Sequence, residues 1–162
     1  MTIEIQKIRN VAKNYGVRVT NLEYGAESHS TASIHTAVWT MDYNNLPAPG
    51  VNNLQQVIPA GSTIVRALLR VVTAFAGGTS YTVGLAQADG TPISATGLFT
   101  AANLPLASLT PAGKLVTGTG ALVGAVSSAT LDGELVVAAS GTFTAGRAEI
   151  IVEYLTPAAV PA

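Results

Sequence analysis

The sequence predicts an all-β protein, a two-sheet antiparallel sandwich of jelly-roll-like form with an extended amino-terminal arm. Three observations carry that expectation. Apolar and polar side chains alternate with period two along much of the chain, the signature of a half-buried strand. Glycine turns recur between these runs, and helix signals are scarce. The chain has 162 residues, the length of one domain with an arm or tail attached, and about seven to nine short strands of a sandwich fit within it.

The elements follow in order. TIEIQKI sets Ile3 and Ile5 against Glu4 and Gln6, and NYGVRVTNLEYG supplies a second extended piece. Residues 1–27 are therefore read as a charged amino-terminal arm or as the first strands of the domain. The sandwich is expected over 28–155 and a proline-containing tail over 156–162. SIHTAVWTMDY is a strand rich in β-branched and aromatic residues. NNLPAPGVNN breaks the sheet, because proline cannot donate to a ladder.

Pro59-Ala60-Gly61 then turns a short strand into a long one, from Thr63 to Phe75. Arg66 and Arg70 share a face of that strand and can pair with Glu149 and Glu153 across the sheet. Gly77-Gly78 is expected to close a hairpin, YTVGLAQA to return, and Asp89-Gly90 to make the next tight turn. On the returning strand Tyr81, Val83, Leu85 and Gln87 form a bulky face. Thr82, Gly84, Ala86 and Ala88 form a small one, suited to lie close against a second layer. A short helix near Leu98 to Ala102 and a loop from Leu104 to Lys114 fit the turn-rich middle. GELVVAAS and RAEIIVEYL close the domain as strands. The order of residues in VVTAFAGGTSYTVGL echoes that in VVAASGTFTAGRAEIIV, as two similar hairpins facing each other would require.

Composition narrows the function. Hydrophobic residues make up 48% of the chain and charged residues 10%, against about 25% in an ordinary soluble domain. So little charge leaves apolar surface that other protein chains are expected to cover. The net charge of −1 and the lack of a basic patch argue against nucleic acid. No apolar run approaches the ~20 residues of a membrane helix, and the start lacks a signal-peptide core. With no cysteine there is neither a disulfide framework nor a thiolate metal site.

The ionisable residues offer little chemistry. His29-Ser30 with Asp42 is the only conceivable base, nucleophile and orienting acid, and no strained nucleophile elbow accompanies it. His29, His35 and Glu27 or Asp42 have no recognised ligand spacing. Glu149 and Glu153 resemble a glycosidase pair only in being two acids. No P-loop or dinucleotide fingerprint is present. The expectation is a structural or interaction protein with no enzymatic activity and no cofactor.

VIPAGSTIVRALLRVVTAFAGGTSYTVGLAQADGTPI, followed by GELVVAASGTFTAGRAEIIVEYL, resembles the capsid decoration (cement) proteins of tailed bacteriophages. The likeness spans residues 57–94 and 133–155. It implies a jelly-roll-like domain on the outside of the phage head, assembled in the host cytoplasm, whose partners are the major capsid protein and itself, as a homotrimer or homodimer. It brings no catalytic residues. Ile3, Ile5, Lys7, Ile8 and Arg9 are candidate capsid-binding residues, because an extended arm with alternating apolar side chains and charges of both signs can add to a strand edge. Trp39, Tyr43, Tyr81 and Tyr154 are candidate oligomer-interface residues, since aromatics are favoured anchors. Two rival readings are a carbohydrate-binding sandwich using Asp42, Tyr43, Asn44 and Asn45, and another virion component such as a head fibre or tail part.

Overall fold

The computed structural model describes residues 34–50 and 56–156. The expected arm and the tail beyond Thr156 lie outside the described residues. The described strands are β1 (Ile34–Asp42), β2 (Thr63–Gly77), β3 (Ser80–Ala86), β4 (Pro92–Phe99), β5 (Leu115–Thr117), β6 (Glu134–Ser140) and β7 (Phe143–Leu155). One short helix, α1 (Leu106–Leu109), follows Pro105.

The strands form a four-stranded sheet ordered β1-β7-β2-β5 and a three-stranded sheet ordered β4-β3-β6, with antiparallel pairing throughout. A jelly roll folds eight strands into two such sheets. Here the position of an eighth strand, outside β6, is filled by the proline-rich connection between β1 and β2. Ile58 and Gly133 exchange both backbone hydrogen bonds, at 2.8 and 2.9 Å, and the Val137 N–H donates to the Pro47 carbonyl at 3.1 Å. Pro47, Pro49 and Pro59 lack the N–H groups that a continuous ladder needs.

Burial follows the alternation in β1 and β7. Ala37, Trp39 and Met41 point inward from β1, as do Ala148, Ile150 and Val152 from β7. They meet Ile64, Ala67, Leu69 and Val71 of β2 and, from the second sheet, Tyr81, Val83, Leu85, Leu135 and Val137. At one end Phe75, Tyr81 and Phe143 form an aromatic cluster. Tyr81 and Phe143 stack at 4.1 Å between centroids, and Phe75 meets both edge-on at 5.4 and 5.9 Å.

Several expectations need correction. Gly77-Gly78 does not close a hairpin, because β2 and β3 lie in different sheets. The two glycines, with φ of 71° and 66°, carry the chain around a corner from one sheet to the other. Phe75 before the corner and Tyr81 after it thereby enter the same core. That burial outweighs the local pairing a hairpin would offer. The β6–β7 connection makes the same kind of corner at Gly141. The echoed segments are not facing hairpins but run side by side through both sheets: β2 pairs with β7, β3 pairs with β6, and the Thr79 N–H donates to the Ser140 carbonyl at 2.7 Å across the two corners.

On β3 the bulky face, not the small one, meets the second sheet. The small face serves β4 instead. A side chain at Gly84 would collide with the backbone of Ser94 and Ala95, where the β3–β4 register shifts. No helix forms at 98–102. β4 runs to Phe99, burying Leu98 and Phe99 together, and the helical turn falls at Leu106–Leu109, inside the expected loop. The Asn103 carboxamide oxygen accepts from the Thr100 N–H (3.2 Å) and the Thr119 hydroxyl (2.8 Å), which makes residues 100–103 a turn.

The glycine-rich stretch after β5 laces the two sheets along that side. Its Gly118 N–H donates to Ala67 and its Gly124 N–H to Ile64 in one sheet, while those of Gly120 and Leu122 donate to Leu98 and Gly97 in the other. Asp89-Gly90 makes the expected turn between β3 and β4, with the Thr91 N–H donating to the Asp89 carboxylate at 2.8 Å.

Candidate interaction surfaces

The outer face of the four-stranded sheet is built from the side chains that alternate away from the core. In register across it stand three successive rows: Thr36, Glu153 and Arg66; Val38, Ile151, Leu68 and Thr117; Thr40, Glu149, Arg70 and Leu115. The middle row is apolar but for Thr117, and each flanking row carries one arginine–glutamate pair. Arg66 holds both oxygens of Glu153, through Nε at 2.8 Å and Nη2 at 2.6 Å. Arg70 directs both its donors to Oε2 of Glu149, at 3.0 and 2.6 Å. At the edge Arg147 reaches Asp42 at 3.7 Å.

The electrostatics follow from this geometry. The hydrogen bonds from Arg66, and then its charge, hold the Glu153 carboxyl below the usual carboxylate range despite some desolvation. The same bonds raise Arg66 above its ordinary value. Arg66 is exposed and the Glu153 side chain is 18% accessible, so the pair stays within reach of solvent and organises the face more than it stabilises the fold.

Exposed apolar side chains concentrate on this face. Ile34, Val38 and Leu115 lie on its alternation. Val72 continues the outward alternation of Arg66, Leu68 and Arg70, and the register irregularity after Ile64 brings out Val65 as well. These account for five of the nine large exposed hydrophobics among the described residues.

The expected site residues are dispersed. Ile3, Ile5, Lys7, Ile8 and Arg9 lie outside the described residues, as do His29 and Ser30. Trp39, at 6% exposure, and Tyr81, at 0%, pack inside this chain's own core. Burial raises the Tyr81 phenol to about 12. Tyr43 is 40% exposed, in a tight turn where Asp42 and Asn45 exchange backbone hydrogen bonds. Tyr154 is half-buried and stacks on His35, with ring centroids 5.5 Å apart. Glu149 and Glu153 are each bound to an arginine. No group of three or more metal-ligating side chains occurs among the described residues, and no described helix is long and apolar enough to cross a membrane.

The paired arginines and glutamates were legible from the sequence as a cross-strand pattern. The apolar row between them was not, because Val38 and Leu68 come from strands that only the register with β7 brings into line.

No protein-family model matches the chain, and no curated protein sequence matches it. Two solved structures resemble it. A chain of the cyanophage Pam1 capsid asymmetric unit aligns with a TM-score of 0.51 and 17% identity over 87% of this chain and 98% of that one. A chain of the capsid of Ralstonia phage GP4 aligns with a TM-score of 0.53 and 19% identity over 82% of this chain and 91% of that one. At such identities the likeness is one of fold.

Proposed function

We propose that this chain is a virion structural protein, a decoration or cement protein that binds the outside of a phage head and bridges major capsid subunits in the expanded shell. The observation that carries the reading is the fold. Its jelly-roll sandwich matches, over most of their lengths, chains from two phage capsids. The composition supports it, since a domain with 10% charged residues and exposed apolar side chains gathered on one sheet face suits a particle in which neighbouring chains cover that surface. Cementing requires no reaction. It requires modest contacts repeated around a shell, where self-association raises the effective concentration of each further contact.

Within this reading residues 1–27 act as the capsid-gripping arm, with Ile3, Ile5, Lys7, Ile8 and Arg9 at its contact. The sandwich stands outward and self-associates. Tyr43 and Tyr154, the two interface candidates at or near the surface, remain available to a neighbour.

The test is co-sedimentation of the purified protein with expanded, undecorated heads of the phage that encodes it. Saturation at a fixed ratio to the major capsid protein, with heads that then survive greater heat, is the expected result. Folded protein that leaves the heads bare refutes the reading and favours a fibre, a tail part or a glycan-binding module. Deleting residues 1–14 is expected to abolish sedimentation with heads while leaving the melting of the sandwich in place. Full binding by the truncated chain refutes the arm.

A further inference from the structure

We propose that the outer face of the four-stranded sheet binds a second copy of this chain, face to face, about a two-fold axis that runs parallel to the strands between β2 and β7. The inference rests on the self-association in the proposed function and names its surface. It does not depend on head binding.

The charge pattern selects both the occupant and the axis. Two face-to-face arrangements are open to a sheet meeting its own copy. An axis perpendicular to the strands would lay β2 on β2 and β7 on β7, setting Arg66 over Arg70 and Glu149 over Glu153, like on like. An axis parallel to the strands keeps each row in place and exchanges the two central strands. Arg66 then lies over the partner's Glu153, and Arg70 over the partner's Glu149.

Each in-chain pair becomes half of a four-charge ring, while Ile151 and Leu68 meet their counterparts between the two rings. At the rim, Asp42 of one copy falls over the end of β5 in the other, where the exposed Lys114 stands. A face whose basic column and acidic column adjoin is self-complementary about this axis alone.

The area is sufficient for a specific but reversible contact. Four strands about 4.8 Å apart and about five rows at ~6.6 Å spacing make a patch of roughly 550 Å² on each copy. The pair would bury about 1,100 Å² in all, at the low end of specific interfaces. Aligned sheet packing, with its twist of about 30°, keeps the three central rows within reach of their partners.

Pairing through the β1 edge is the competing way to join two copies, and the structure blocks it. The Val38 N–H, which points away from β7, donates to the Gln56 side chain at 3.0 Å, and the Asp42 N–H donates to the Asn45 carbonyl at 3.2 Å. The edge is occupied at its centre and at one end.

The experiment is sedimentation equilibrium of the full chain over a concentration series, with two charge variants. Wild type is expected to pass from monomer to dimer in the micromolar range. Glu149→Arg with Glu153→Arg sets arginine over arginine and is expected to weaken the dimer at least about tenfold.

The fourfold exchange Arg66→Glu, Arg70→Glu, Glu149→Arg and Glu153→Arg restores the in-chain pairs, and so the fold, and remains complementary to itself. It is expected to dimerise like wild type yet fail to form mixed dimers with it, read by energy transfer between labelled populations. A wild type that is monomeric at every accessible concentration, or that forms trimers, overturns the proposal. So does an exchanged variant that mixes freely with wild type. Head co-sedimentation of the same variants reads the cement function separately, so either idea can fail alone.

Discussion

Replacing Gly146 by alanine tests the packing of the corner where the two sheets meet. Gly146 lies in β7 with φ of 131°, and a Cβ built there would overlap the Cγ–Cδ1–Cε1 edge of the Phe75 ring. Phe75 has nowhere to retreat, because its ring is 2% exposed and is held edge-on by Tyr81 and Phe143. Overpacking a filled core costs about 1–3 kcal/mol, and a side chain at a φ it rarely adopts adds roughly 1 kcal/mol. The sum is ~2–4 kcal/mol, or a fall of roughly 10 °C in Tm for a domain of this size.

Gly90→Ala is the control, since Gly90 has a positive φ of 87° but nothing within 4 Å of the added Cβ. It should cost only the backbone share, ~1 kcal/mol. Urea unfolding followed by circular dichroism measures both. In a Phe75→Leu background, which trims the ring, the extra cost at Gly146 should shrink toward that of Gly90. Equal destabilisation by the two single substitutions, or an unchanged penalty in the Phe75→Leu background, refutes the steric argument.

Other expectations follow from buried and paired groups. The Tyr81 hydroxyl is buried with no hydrogen-bond partner among the described residues, so Tyr81→Phe removes a desolvated polar atom and keeps the ring stack, raising stability by ~1 kcal/mol; a lower melting temperature would show that the hydroxyl is satisfied. Because Arg66 depresses the Glu153 carboxyl in the folded state, its contribution is present above the unfolded pKa near 4.5 and is lost as pH falls through the lower folded value. Glu153→Gln is therefore expected to lower the urea midpoint slightly at pH 7 and to converge on wild type as pH falls through that lowered folded value, with a difference that stays constant across the acid range counting against the pair. Leu69→Ala empties the centre of the core, where Leu69 is fully buried, and is expected to cost ~2–5 kcal/mol; a loss under 1 kcal/mol would mean that the sheets can collapse into the space.

The strands, their limits and their pairing partners were legible to different degrees. Alternation in VRALLRVV and RAEIIVEYL placed β2 and β7 and put Arg66, Arg70, Glu149 and Glu153 on one face, because period two is a property of each strand alone. Asp89-Gly90 announced its turn through local backbone chemistry that needs no tertiary partner. What alternation cannot state is which face turns inward. Trp39 and Tyr81 suit an interface as well as a core, and only the opposing sheet decided that both are core.

Gly77-Gly78 is ambiguous for the same reason. Two positive-φ glycines permit either a hairpin or a corner, and burial of Phe75 against Tyr81 and Phe143 from three strands selected the corner. The helical turn moved from 98–102 to 106–109 because Leu98 and Phe99 found a core to fill. The sequence by itself determined an all-β chain with Arg66 and Arg70 on one face of their strand and Glu149 and Glu153 on one face of theirs, since period two follows from neighbours along a strand. The tertiary structure alone decided which strands are neighbours, because β1 with β7 and β2 with β7 are pairings across long loops, and their register is set by which side chains two sheets can bury together.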